Sequence, residues 1–168
     1  MFYLPPKNVS YQVNKIIMKC FLIIFIFLFI KITYSEEFSL KWSINVTVLD
    51  NIEFIDGGNY EVNRAEGSWE DNKGYYGYLK CIGPLLIDKE KNLKLDLICD
   101  GYDNKNDKFQ INLKRNSFED AGIGKAIYIS GTGRYLNFIK KECTYAVNYL
   151  DPRERGKRLG FYKQICKD

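Results

Sequence analysis

The stretch FSLKWSINVTV, residues 38–48, alternates apolar and polar side chains without a break. Successive side chains of a β-strand point to opposite faces, so a strand with one buried face carries an apolar residue at every second position. A helix would instead place its apolar residues three or four positions apart. The stretch therefore predicts a β-strand whose inner face carries Phe38, Leu40, Trp42, Ile44, Val46 and Val48.

The same kind of pattern continues to the end of the chain. Seven further candidate strands lie at 60–66, 74–82, 93–99, 108–114, 125–131, 142–149 and 159–166. Turn-forming sequences separate them, among them DGGN at 56–59, EDNKG at 70–74, DNKND at 103–107 and DPRERG at 151–156. Short strands with regular turns and no helical segment are typical of all-β proteins. We expect a single antiparallel barrel of about eight strands; an open sandwich is the alternative.

The first 35 residues have the composition of a targeting segment. Residues 21–30 read FLIIFIFLFI, preceded by lysines and followed by small residues. This charged, apolar and small order is that of a secretory signal peptide. The apolar run is also shorter than the roughly 18–20 residues of a membrane-spanning helix. We expect a signal peptide over 1–35 and a secreted β-barrel domain over 36–168.

The boundaries of this segment follow from single residues. Thr33 and Ser35 are small enough for the −3 and −1 positions of a signal-peptidase site, so we expect cleavage after Ser35. An uncleaved N-terminal anchor is the alternative, and after cleavage we expect no stable membrane insertion. Met18, followed by Lys19, is a natural start, so residues 1–17 are interpreted as a possible over-extension of the chain.

Charge and histidine content exclude several functions. The segment 1–35 holds four of the 25 Lys and Arg residues and no acidic residue, so residues 36–168 carry 21 basic and 21 acidic side chains. A neutral domain lacks the basic surface on which nucleic-acid binding depends, and we expect no nucleic-acid partner. The chain has no histidine, which excludes Ser-His and Cys-His nucleophile pairs and His-containing zinc sites.

Four cysteines follow the targeting segment: Cys81, Cys99, Cys143 and Cys166. An even number of cysteines in an exported chain points to disulfides and to an oxidising compartment, here secreted or periplasmic. Directly opposed residues of an antiparallel hairpin have numbers with a constant sum. Cys81 and Cys99 are centred on the turn-like DKEKN, and Cys143 and Cys166 are centred on DPRERG. We therefore predict the pairs Cys81–Cys99 and Cys143–Cys166.

The sequence GTGRYL, residues 131–136, contains two closely spaced glycines after an apolar run. A P-loop needs a Gly-Lys-Ser/Thr ending, and a dinucleotide-binding turn needs a third glycine that opens a helix. Neither is present, and the flanking residues alternate like strands. We interpret Gly131 and Gly133 as a structural turn at the end of a strand.

This region also resembles a known family. The sequence YISGTGRYLNFIKKECTYAV (128–147), entered by DAGIGKAIYI (120–129), is similar to the glycine-turn signature of allene oxide cyclase-like and dirigent-like barrels. Their strand ends in G-T-G-(K/R)-(F/Y), and a small-residue strand returns after a short loop. The resemblance covers about residues 117–149 and is closest to small exported bacterial proteins of this barrel type. The chain departs from the family at 141–143, where it has Lys-Glu-Cys instead of G-x-G.

The resemblance implies an eight-stranded barrel whose interior holds packed side chains or one small ligand. The enzymes of the family position reactive apolar intermediates in an apolar cavity. Their functional residues do not match this chain position by position, so the resemblance assigns no catalytic residue. A barrel fold by itself does not establish a chemistry.

Aromatic residues are abundant, with 13 Tyr, 11 Phe and 2 Trp in the chain. Ligand pockets are apolar with a few polar groups, and Trp42, Trp69, Tyr76 and Tyr78 are the residues that we expect to line one. The alternative is ordinary barrel packing. We therefore predict non-catalytic binding of a small apolar molecule. The alternatives are a cyclase or isomerase of the allene oxide cyclase type and a structural or interaction module with a filled barrel.

Acidic side chains complete the set of candidates. Glu61 and Glu66, or Glu119 and Asp120, are candidates for an acid-base pair in a cavity, although solvated charge is their default state. The sequence DGYDNKNDK, residues 100–108, has some resemblance to a calcium loop but lacks the required glycine, so we expect a hairpin turn. We expect no catalytic residue that a motif identifies, no metal site and no cofactor.

Overall fold

A computed structural model of the chain describes residues 37–118, 122–150 and 157–167. The predicted signal peptide, its cleavage site and the DPRERG turn at 151–156 lie outside the described residues. No helix in the described ranges has the length and apolarity that a membrane-spanning helix requires.

Eight antiparallel strands close into one barrel in which each strand pairs with the next and the last pairs with the first. This closure decides between the two architectures that the sequence allows, and all eight predicted strands are confirmed. Their bounds are β1 Phe38–Glu53, β2 Asn59–Asp71, β3 Tyr76–Ile87, β4 Leu93–Asp103, β5 Lys108–Ser117, β6 Gly122–Gly131, β7 Glu142–Tyr149 and β8 Lys157–Cys166.

The alternation of β1 has the predicted orientation. Phe38, Leu40, Trp42 and Ile44 are buried, while the lysine and serines between them face outward. A register shift between Val48 and Asp50 ends the regular alternation, and the strand continues beyond the predicted 48 as far as Glu53. A bulge of this kind bends a strand without breaking its pairing.

Three hairpins share one turn design. Asp71, Asp88 and Asp103 each open a turn, and the side chain of each accepts hydrogen bonds from backbone N–H groups of that turn at 2.8–3.1 Å. The residue three positions later has a positive φ in each case: 82° at Gly74, 68° at Lys91 and 65° at Asn106. This is the three-residue hairpin loop in which a left-handed residue follows a type I turn. The predicted turns at 70–74 and 103–107 are thereby confirmed.

Both predicted disulfides are present. Cys81 and Cys99 are opposed on β3 and β4, and Cys143 is bonded to Cys166 where β7 pairs with β8. All four cysteines are at most 2% exposed, because their side chains point into the barrel. Disulfides of this kind are typical of proteins in oxidising compartments.

One end of the barrel is closed by a plug. The strand β6 ends at Gly131, and a 3-10 helix, η1, follows over Gly133–Phe138. Its Tyr135 is fully buried, with its ring centre 4.6 Å from that of Phe109. Gly131 allows this approach, because a Cβ at that position would lie 2.7 Å from the Cβ of Tyr135. The glycine turn therefore directs the plug back under the barrel.

Candidate functional site

A cavity of about 40 Å³ opens at the end of the barrel opposite to the plug. The plug follows the end of β6, whereas the cavity is lined by the ends of β3, β5 and β7 and the beginnings of β2, β4 and β8. In an antiparallel barrel these termini share one rim. We call this cavity the mouth cup. Its apolar wall consists of Val46, Val48, Ala65, Leu85, Leu95 and Leu97.

Arg115 forms part of the mouth cup. The inward positions of β5 run from the plug to the mouth as Phe109, Ile111, Leu113 and Arg115, so alternation places this arginine in the row that faces the interior. Arg115 as a whole is only 3% exposed. Neither Nε nor Nη1 has a hydrogen-bond partner within the described part of the chain. The cup thus contains a buried cation with donors that no described residue satisfies.

The other polar residues of the cup interact with neighbouring groups. Glu61 accepts a hydrogen bond from the side-chain amide of Asn59 at 2.9 Å and another from that of buried Asn63 at 3.1 Å. Its two carboxylate oxygens are therefore each hydrogen-bonded to an amide. Arg158 and Tyr149 also line the cup, and each has interactions of its own.

The buried Tyr145 interacts electrostatically with Arg115. Tyr145 on β7 is 2% exposed, and its hydroxyl has no hydrogen-bond partner among the described residues. Burial raises the pKa of Tyr145, and the charge of Arg115 opposes that rise. The hydroxyl consequently stays protonated at neutral pH and is able to donate a hydrogen bond.

The four aromatic residues predicted to line a pocket lie on two different faces. Trp42 and Trp69 are inside the barrel and 2% exposed, whereas Tyr76 and Tyr78 are on the outside and 62% and 37% exposed. Strand β3 turns Leu79 and Cys81 inward, so its tyrosines at 76 and 78 face outward. The structure does not bring the four residues together in one pocket.

The two tryptophans pack against other aromatic rings. Trp42 meets Tyr162 edge-on with 5.6 Å between ring centres, and Trp69 meets Phe109 in the same way at 5.6 Å. Tyr162 in turn donates a hydrogen bond to Gln164 at 2.7 Å. The middle of the barrel is thus a packed core with an internal polar network, and these groups serve stability.

The sequence contains a signal for the mouth cup that composition alone does not show. Arg115 occupies an apolar phase of an alternating strand, and Asn63 does the same on β2. A polar residue at such a position needs a partner in the interior. Of the first candidate acidic pair, Glu61 lies in the cup, and Glu66 is on the half-buried outer side near Tyr78. The second pair, Glu119 and Asp120, lies outside the described residues.

A scan of the chain against models of known protein families finds no match, and a search among curated proteins finds none either. The resemblance to allene oxide cyclase-like and dirigent-like barrels therefore stays a prediction. The structure itself establishes a closed eight-stranded antiparallel barrel with a plugged end and an open end.

Proposed function

We propose that the domain is a secreted or periplasmic barrel that binds one end of a small, largely apolar molecule and does not change it chemically. The observation that supports this function most directly is the mouth cup, whose lining combines six aliphatic side chains with a few polar ones. Ligand sites are typically apolar with a few polar groups that fix orientation. Two internal disulfides suit a protein that works in an oxidising compartment.

The size of the cup limits how a ligand is held. Cavities that enclose a drug-sized molecule have volumes of roughly 300–1,000 Å³, whereas the cup offers about 40 Å³. A volume of this size accommodates the terminal group of a molecule. We therefore expect end-on binding, with the rest of the ligand over the rim of the barrel.

Binding is better supported than a cyclase or isomerase reaction. A general acid or base needs a titratable group that is free to exchange a proton with the substrate. Both oxygens of Glu61, the carboxylate of the cup, accept amide hydrogen bonds, and Tyr149 has interactions of its own. These residues are better placed to shape the cup than to transfer protons.

Saturation-transfer NMR with octan-1-ol tests the binding function on the full chain after export from a bacterial host. We expect transfer to the alcohol from the wild-type protein and its loss in Val48→Phe, which fills the mouth from a half-buried wall position. Ile82→Phe is the matched control, because Ile82 is 47% exposed on the outer face. Equal transfer in all three proteins, or no transfer in any of them, would overturn the proposal.

A protein-interaction role is the second candidate. A strip on the outer faces of β3 and β4 supports it: Tyr76, Tyr78, Ile82, Ile98 and Tyr102 are between 37% and 62% exposed, and the charged pair of Lys80 and Asp100 lies among them. Tyr78 pairs directly with Tyr102 across the two strands, and Ile82 pairs with Ile98. If this strip joins two copies of the chain, sedimentation will show a dimer that Ile82→Lys converts to a monomer. A monomeric wild-type protein would contradict self-association.

A further inference from the structure

We propose that the ligand group that enters the mouth cup is a carboxylate, held by Arg115. This inference rests on the proposed binding function and specifies the chemical class of the ligand. The site that carries it is the mouth cup, whose lining combines the buried Arg115 with aliphatic side chains.

The carboxylate and the guanidinium of the cup have different partners. Glu61 accepts hydrogen bonds from the amides of Asn59 and Asn63, at 2.9 and 3.1 Å. Nε and Nη1 of Arg115 have no partner among the described residues. The hydrogen bonds of Glu61 therefore leave these two donors of Arg115 unsatisfied.

The burial of Arg115 explains why a charged partner matters there. An ionised group that leaves water without a hydrogen-bonded partner is strongly destabilised. Arg115 is 3% exposed, and Nε and Nη1 have no partner among residues 37–118, 122–150 and 157–167. An anionic ligand would satisfy both the charge and the donors.

The geometry of the guanidinium suits a planar carboxylate. Its five N–H donors form a rigid fork that bonds both oxygens of a carboxylate at once. A carboxylate can bridge the fork along its side through Nε or across its end through Nη1, so each mode uses one of the two unpaired nitrogens.

The walls of the cup define the remainder of the ligand. Leu85, Leu95 and Leu97 lie around the cavity, so the atoms next to the carboxylate meet aliphatic carbon. A short fatty acid has this combination of an anionic end and an apolar chain. The structure thus favours monocarboxylates with an alkyl or similar apolar tail over compact, multiply charged anions.

A series of eight-carbon compounds tests the head group on the wild-type protein. Dissociation constants are measured by titration calorimetry at neutral pH for octanoate, octan-1-ol, octylamine and octyl sulfate. We expect octanoate to bind at least about tenfold more tightly than octan-1-ol, as a charge-assisted bidentate pair adds more than about 1.4 kcal/mol. We expect octylamine to bind most weakly.

The result distinguishes this inference from the binding function. If octan-1-ol binds as tightly as octanoate and Val48→Phe weakens its binding, the proposed binding function holds. The assignment of a carboxylate as the ligand group is then overturned. Octyl sulfate that binds more tightly than octanoate would also overturn it. If none of the four compounds binds, the binding function itself fails.

Variants locate the selectivity at one side chain. Arg115→Met should abolish the preference for octanoate over octan-1-ol, while Lys94→Met should keep it, because Lys94 is an exposed cation on the outward side of β4. Arg115→Lys retains the charge without the fork and should keep only part of the preference. If both Arg115 variants fail to fold, the head-group series on the wild-type protein decides alone. A preference that survives in folded Arg115→Met would overturn the assignment.

Discussion

Arg134 donates a hydrogen bond from Nη2 to Oδ2 of Asp71 at 2.7 Å, across 63 positions of sequence. The Asp71 side chain is fully buried, and its other oxygen accepts backbone hydrogen bonds of the β2–β3 turn. The guanidinium also lies 3.6 Å from the centre of the Tyr75 ring. One carboxylate thus shapes a hairpin and ties the plug to it, which explains how a 3-10 helix of six residues is fixed under the barrel.

Removal of the charge on Arg134 should destabilise the plugged end. Arg134→Met leaves the buried carboxylate of Asp71 without its cationic partner, and we expect the free energy of unfolding to fall by about 3 kcal/mol. Lys41→Met is the control, because the Lys41–Glu70 pair at 3.7 Å is solvent-exposed; such pairs contribute less than about 1 kcal/mol. Urea unfolding of both variants provides the comparison, and equal losses would contradict the role of Asp71.

Gly133 should tolerate alanine less well than Gly74. Both have a positive φ, 49° and 82° respectively, which costs an alanine about 1–2 kcal/mol. A Cβ at Gly133 would also overlap the carboxylate of Asp107, whereas nothing lies within 4 Å at Gly74. That carboxylate accepts a hydrogen bond from the backbone N–H of Arg134 at 3.1 Å. We expect Gly133→Ala to cost about 1 kcal/mol more than Gly74→Ala in thermal unfolding, and a smaller loss would contradict the close contact.

The fold could be predicted because its determinants are local. A period of two and regular turns mark each strand, and the constant-sum rule places Cys81 opposite Cys99 without knowledge of the other strands. The closure of β8 on β1 and the 3-10 helix depend on contacts between distant residues, such as Arg134 with Asp71. The glycines at 131 and 133 indicated a turn but not the plug that follows them.

The site was harder to predict for a related reason. The aromatic content predicted one pocket that included Trp69 and Tyr76, but the two side chains lie on opposite faces of the sheet. The inward-facing residues of β3 begin at Leu79, so Tyr76 faces outward. Strand register, which composition does not reveal, decides which aromatic residues share a face. Arg115 was detectable in principle as a charged residue at an apolar position of β5.

The two disulfides should stabilise the barrel independently. Each closes a loop with a sequence separation of 18 or 23 residues, for which the chain-entropy model gives about 3 kcal/mol. We expect Cys81→Ala/Cys99→Ala and Cys143→Ala/Cys166→Ala each to lower the free energy of unfolding by about that amount, as measured in urea. Thiol titration of the wild-type protein after export should find none of these four cysteines free. Reactive thiols at these positions would contradict an oxidising compartment.

Stability should decline at alkaline pH. Burial raises the pKa of Tyr128, Tyr135, Tyr145 and Tyr162 above the usual value, whereas the unfolded chain ionises its tyrosines near pH 10. Above about pH 10 the unfolded state therefore binds fewer protons than the folded state, and its formation becomes more favourable. Below that pH this contribution to stability is complete.

Ultraviolet absorbance of tyrosinate, followed together with circular dichroism, measures this behaviour. We expect the buried tyrosines Tyr128, Tyr135, Tyr145 and Tyr162 to ionise only as the β-sheet signal disappears. Ionisation of all tyrosines in one step near pH 10, with the sheet intact, would show that the buried rings are accessible to solvent.

The most direct test of the account is a map of where a ligand binds. Two-dimensional NMR of the isotopically labelled protein, titrated with octanoate, reports on each assigned residue. We expect saturable shifts at Val48, Leu95 and Arg115 around the mouth cup and none at the indole of Trp42 in the packed core. Shifts confined to the outer strip around Tyr78, or an unchanged spectrum, would contradict a ligand site at the open end of the barrel.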